Sequence, residues 1–167
     1  MRLKVLFLVL FFLVGTVAFS YAEVKLAYVD LSRIFEEYNK TKDYDKVLTS
    51  QQDAYEKERQ KKVDEIKQIE DKLNLLSDKE KENQKKQLED KVKALREFDQ
   101  AKQTDLRKQQ DEKMREILKD IEQTIRQYAE SQGYSLVFND RVLVYQAKTL
   151  DITDKIIEAL NKNYKKQ

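Results

Sequence analysis

Asp151, Thr153 and Asp154 place two carboxylates and a hydroxyl within one short stretch. Oxygens grouped this way can hold a hard cation or pass a proton. They can equally start a helix, because Asp and Thr oxygens accept from the free N–H groups of a first turn. The residues that follow, Ile156, Ile157, Leu160 and Tyr164, recur at helical spacing, so capping is the reading adopted.

Little else in the chain offers chemistry. It contains no Cys and no His. That removes the usual transition-metal ligands, the Ser-His-Asp and Cys-His nucleophilic pairs and the commonest general base. The only glycines are Gly15 and Gly133, too few for a Gly-rich phosphate loop. The chain holds 31 Asp and Glu scattered among basic residues, and a chance carboxylate pair among so many means nothing. These absences argue against an enzyme, and no cofactor or metal is expected.

A long polar run dominates the architecture. Residues 40–132 contain neither Pro nor Gly and are rich in Lys, Glu, Gln, Asp and Leu. Strong helix formers without a breaker read as long helix. So long a run cannot be wrapped into a compact globule of this size, and it must project as an arm.

The N-terminus is a separate segment. Arg2 and Lys4 precede an apolar block, Val5 to Val14, that continues to Phe19, and Ser20-Tyr21-Ala22 follows. A charged start, an apolar stretch and small residues at the cleavage positions make residues 1–22 a signal peptide. The alternative is a retained membrane anchor, since the stretch approaches spanning length; the A-x-A-like ending favours cleavage. Arg2 and Lys4 are two of the 33 basic residues, so residues 23–167 carry 31 basic and 31 acidic side chains and are neutral. The signs are intermixed, which suits solvated helix faces with i,i+4 pairs. Neutrality opposes nucleic-acid binding, because affinity for phosphate comes mainly from Lys and Arg.

The elements follow from periodicity. Val24, Leu26 and Tyr28 alternate with Lys25, Ala27 and Val29, a first strand whose Leu26 and Tyr28 face is strongly apolar. Asp30 caps a short helix from Leu31 to Tyr38, with an interruption at 39–41. A first arm helix runs from about Thr41 to Leu76. Ile66, Ile69, Leu73 and Leu76 keep a coiled-coil seam, which lapses over Glu56 to Lys62. Ser77 with Glu80 three residues on is a capping box, so the chain turns near residue 77 instead of continuing as a rod. The return helix runs from Asp78 to about Gln132, where Gly133 ends it. Folding about Ser77 sets Tyr44 opposite roughly residue 111. The remainder, with Met114, Ile117, Leu118, Ile121, Ile125 and Tyr128, overshoots the hairpin and is expected to be buried. Tyr134 to Phe138 and Val142 to Tyr145 read as second and third strands joined in a hairpin through the turn at 139–141.

The fold class is therefore α+β: a small β-rich body, residues 23–40 with 112–167, carrying a long antiparallel helical hairpin over residues 41–111. Leu26, Tyr28, Val29, Ile117, Ile121, Ile125, Leu136 and Phe138 are the expected body or oligomer core. A body of three short strands is a weak independent core with open edges, so copies are expected to join.

Lys25 to Phe35, the arm pair, Gly133 to Phe138, Val142 to Tyr145 and Leu150 to Ile156 resemble, in that order, the Skp (OmpH-like) family of periplasmic chaperones. The K-x-A-Y-V-D start at Lys25 and the L-D-I-T-D run at Leu150 carry the resemblance most specifically. It implies a trimer with a β-rich body and three helical arms around a cavity. It also implies a periplasmic, ATP-independent holdase for unfolded outer-membrane proteins. Arms in that family are often strongly basic, whereas this chain is neutral after cleavage, so contact with a membrane surface is expected to be weak.

The second functional class is structural, a coiled-coil spacer or adaptor of the cell envelope. A spacer needs an unbroken seam, and here the seam lapses at Glu56 to Lys62 and thins from Asp99 to Lys113. Folding sets Leu95 and Phe98 opposite the first gap, and Tyr44, Val47, Leu48 and Tyr55 opposite the second. Apolar side chains without an apolar partner either pack on the stems of Lys, Arg and Gln or line the client cavity. These six are the candidate client contacts.

Overall fold

The computed structural model describes residues 24–164. The signal peptide expected over residues 1–22 lies outside the described residues. The element order is β1 (Leu26–Val29), α1 (Leu31–Glu37), α2 (Asn39–Leu73), α3 (Asp78–Gln132), β2 (Leu136–Asn139), two single 3-10 turns at Asp140–Val142 and Lys148–Leu150, and α4 (Thr153–Asn163).

Helices α2 and α3 are the long hairpin, 35 and 55 residues in length, or about 52 and 82 Å at the helical rise. Nothing in the backbone chemistry forces the turn between them, because no Pro or Gly stands there. Instead Ser77, extended at the N-cap, donates from its backbone N–H and its hydroxyl to the Glu80 carboxylate at 3.2 and 2.5 Å. The capping box thus satisfies the end of α3. The other end closes on Gly133 at φ 70°, the left-handed conformation that Gly adopts without strain.

At the base, α1 is capped by Asp30, whose carboxylate accepts the Arg33 N–H at 2.9 Å. One extended residue, Tyr38, separates α1 from α2. The break is shorter than the interruption expected at 39–41, since helix resumes at Asn39. The outgoing helix also ends sooner than expected, at Leu73.

Strands β1 and β2 pair in parallel, with Leu26 opposite Leu136 and Tyr28 opposite Phe138. The expected hairpin of second and third strands does not form. Val142 to Tyr145 is a 3-10 end followed by irregular chain. A strand needs a neighbour to take its N–H and C=O groups, and in the single chain no described segment offers them to it. Alternation along β1 and β2 directs Ala27, Val29 and Val137 onto the helices. There they meet Ile34 of α1, Ile117 and Ile121 of α3, and Ile156 and Leu160 of α4, each at most 2 % exposed.

Of the residues expected in the body or oligomer core, three stay open in the single chain. Leu26 and Phe138 are more than a third exposed, and Leu136 is 54 % exposed, on the face opposite the helices, where Tyr28 alone of the four is buried. Tyr28 and Val29 are buried, and Ile125 packs half-buried at the core edge. Met114 and Leu118, expected to be buried with Ile117 and Ile121, are exposed. A helix lying on a single layer can hide only one stripe, and these two side chains fall outside it.

Candidate functional site: the arm and the outward sheet face

The arm helices face each other residue by residue about the Ser77 turn. Glu65 accepts from Lys91 at 2.6 Å, and Asp99 accepts from the Tyr55 hydroxyl at 3.0 Å and from Arg59 at 3.3 Å. Near the base the Lys40 ammonium lies between Glu116 and Asp120 at 2.6 and 2.7 Å. Two neighbouring cations, Lys113 and then Lys40, hold the Glu116 carboxyl down at about 2. Burial, and then the Asp120 carboxylate that accepts its hydroxyl at 3.1 Å, push the Tyr38 phenol up to about 12.

The six candidate client residues divide between two environments. Tyr55 is 7 % exposed and stacks on Phe98, with ring centroids 5.7 Å apart. The Lys62 ammonium lies 4.9 Å over the Phe98 ring. Phe98 therefore does have an aromatic partner, against expectation: a ring reaches further along a neighbouring helix than a one-to-one folding register allows. Leu95 sits half-buried one turn away.

Tyr44, Val47 and Leu48 lie where the helices part. A cleft of about 1060 Å³ opens beside Tyr44, Val47, Gln51, Gln109 and Lys113, reaching back to Tyr164. A second, of about 560 Å³, is lined by Leu48, Gln52, Gln103 and Leu106. The cause is composition: glutamines and lysines across from Tyr44 and Val47 cannot fill a seam. The Tyr44 hydroxyl is buried with no hydrogen-bond partner among the described residues, and burial first, with Asp45 assisting and Lys113 opposing, pushes its phenol up. Val47 is 52 % exposed.

The D-x-T-D cluster is structural. Asp151 accepts the Thr153 N–H at 2.9 Å, Thr153 accepts the Asp30 N–H at 2.9 Å, and Asp154 pairs with Arg33 at 2.6 Å. Asp151 thus caps the first turn of α4 as expected, while Thr153 and Asp154 also tie α4 to α1 and its cap residue Asp30. Among the described residues no helix is long and apolar enough to cross a membrane.

Sequence reasoning misses one surface. Val142, Val144 and Tyr145 are 70, 107 and 86 % exposed and follow directly on β2, whose neighbouring Leu136 and Phe138 are also uncovered. Their continuous run of β-branched, aliphatic and aromatic residues is the signal that suggests a strand, and the same signal marks an apolar segment with no partner among the described residues.

No curated protein matches this chain. It is similar in fold to the solved structure of a candidate outer membrane chaperone (OmpH-like) from Caulobacter crescentus, with a TM-score of 0.78 at 16 % identity, covering 85 % of this chain and 86 % of that one. At that identity the likeness speaks for the fold. The sequence model of outer membrane protein (OmpH-like) matches residues 25–160, which takes in both arm helices, both strands and the D-x-T-D cluster. With a helical hairpin set on a small two-stranded body, the chain belongs to the OmpH-like family.

Proposed function

We propose that this protein is an ATP-independent holdase chaperone of the periplasm that binds unfolded outer-membrane proteins between helical arms and keeps them from aggregating. Its division of labour is a body of residues 23–40 and 112–167 and an arm of residues 41–111, with residues 1–22 directing export. Copies join, as a trimer, through the outward sheet face. The exposed Leu26, Leu136 and Phe138 and the strand-like Val142 to Tyr145 supply an apolar surface with a free β edge. Such a surface on a lone body is a demand for a partner.

The observation that carries the reading is the loosened proximal arm. A holdase needs many weak contacts, because a few strong ones would trap the client. Val47, Tyr44 and Leu48 beside two clefts offer a dilute lining of that kind, whereas Tyr55 and Phe98 are occupied with each other. Arms neutral in net charge leave apolar contact, not charge, as the main attraction.

The test is light scattering of an unfolded outer-membrane β-barrel protein on dilution from denaturant. Scattering should fall as this protein is added, with saturation near one assembly per client. Undiminished scattering with the assembly intact rejects the holdase reading and favours the envelope spacer.

A further inference from the structure

Helix α2 begins with an unusual cap. The residue in the N-cap position is Tyr38, which makes no side-chain cap bond. The first N–H groups of a helix need acceptors, and here the acceptor comes from another helix. The Asn161 side-chain oxygen accepts the Asn39 N–H at 2.8 Å, while its amide donates to the Glu37 carbonyl at 3.2 Å. Asn161 thus bridges both sides of the break at Tyr38. Three residues on, the Tyr164 ring meets the Tyr38 ring edge-on at 5.7 Å, and its hydroxyl donates to Asp43 at 3.4 Å.

The two arm helices are rooted differently. Helix α3 runs unbroken from the tip into the core, but α2 is joined to the body through the single extended residue Tyr38. Bending a pair of parallel rods requires one to slide along the other, so the pair is stiff only while its ends are tied. At the root the Lys40 pair with Glu116 and Asp120 ties α2 to α3, and Asn161 and Tyr164 tie it to α4. The family match ends at residue 160, so these last ties come from residues beyond the matched segment.

We propose that Asn161 and Tyr164 form a C-terminal clasp that fixes how the arm leaves the body. Asn161 acts as a cap in trans for α2, and Tyr164 holds the break at Tyr38 closed. The clasp sits at the mouth of the proximal cleft, which Tyr164 and Asn163 help to line, so it also sets how far the arm helices part there. This inference stands apart from the holdase reading, since it concerns the stiffness of the arm and not what the arm binds.

The chain has no Cys, so spin labels can be placed cleanly. Labels at Glu36→Cys on α1 and Gln87→Cys on α3, both exposed positions, would report the angle of arm to body in full-length protein diluted with unlabelled chain. Hydrogen exchange at the Asn39 amide reports the cap itself. In Asn161→Leu the Asn39 amide should exchange about five- to tenfold faster, the effect of one lost helix cap. The body-to-arm distance distribution should widen by about twofold, as a bending arm requires. The amide of Ile121 should keep its protection; if it does not, Asn161→Ala is read in its place. A distance distribution of unchanged width overturns the proposal, whether or not the Asn39 amide speeds up.

Discussion

Helix α3 passes through two environments, and the contrast between them explains how the molecule is held. At its base, Ile117 and Ile121 are at most 2 % exposed among side chains from both strands, α1 and α4. Further out, Leu88, Val92 and Leu95 are only half-covered, by a single partner helix. Burial of an aliphatic side chain is worth about 1.5–3 kcal/mol when complete, so most of the stability lies in the base. The distal arm relies on helix propensity, on the Tyr55–Phe98–Asp99 contact and on surface pairs such as Lys91 with Glu65, which contribute little each. The arm is an extension that the body must carry.

The sharpest way to break this contrast is at the base. Ile121→Asp places an unpaired charge where there is no water, at a cost of several kcal/mol, and should unfold the body. Circular dichroism would show helix lost from arm and body together. A folded variant of native stability would mean that the base is not the foundation.

Next in size is the outward sheet face. Leu136→Asp with Phe138→Asp changes exposed residues, so each chain should keep its helices while the assembly dissociates. Sedimentation at micromolar concentration should find a single chain in place of the proposed trimer. An intact trimer would move the interface elsewhere.

A smaller effect belongs to the middle of the arm. Tyr55→Phe removes the hydroxyl that Asp99 accepts but keeps the ring on Phe98, for a loss of about 1 kcal/mol. Exchange should quicken at residues 52–62 and 95–103 while the base stays protected. Equal quickening at Ile121 would show that arm and base melt as one unit.

The smallest effect is set by pH. Glu116 has its folded-state value near 2, against an ordinary 4.5, because Lys113 and Lys40 favour its charged form. A depressed carboxylate stabilises above its unfolded value and loses that contribution as pH falls through the folded one. Stability should therefore be flat from neutral pH to about 5 and decline between about 4.5 and 2, less steeply in Glu116→Gln. An identical slope in that variant would leave Glu116 without a role. With no His in the chain, no step is expected between about pH 6 and 8.

The hairpin is readable in one dimension because everything that makes it is local. Helix propensity, the absence of breakers, the Ser77–Glu80 box and Gly133 each act within a turn of chain. Reflection about Ser77 then brings Tyr55 to Asp99 and Lys40 to Glu116 without further information. The candidate site is less legible, because Tyr55 and Phe98 differ from Tyr44 and Val47 only in what the other helix presents to them. Aromatic reach closes one pair, and glutamine leaves the other beside a cleft.

The body is where tertiary structure decides. Both faces of β1 are apolar enough to be buried, Leu26 and Tyr28 on one and Ala27 and Val29 on the other, so periodicity reveals the strand but not its inward side. Docking on Ile34 and Ile117 turns Ala27 and Val29 onto the helices, while on the other face Tyr28 is buried and Leu26 is left open. The segment from Val142 to Tyr145 carries the pattern of a strand, but a strand exists only when another backbone accepts and donates beside it. Asp151, Thr153 and Asp154 advertise a helix start, yet Thr153 and Asp154 spend their side chains on Asp30 and Arg33 at the start of α1. Local chemistry writes the helices, whereas sheet faces, edges and cross-helix caps depend on residues more than a hundred positions away, such as Asn161 on Asn39.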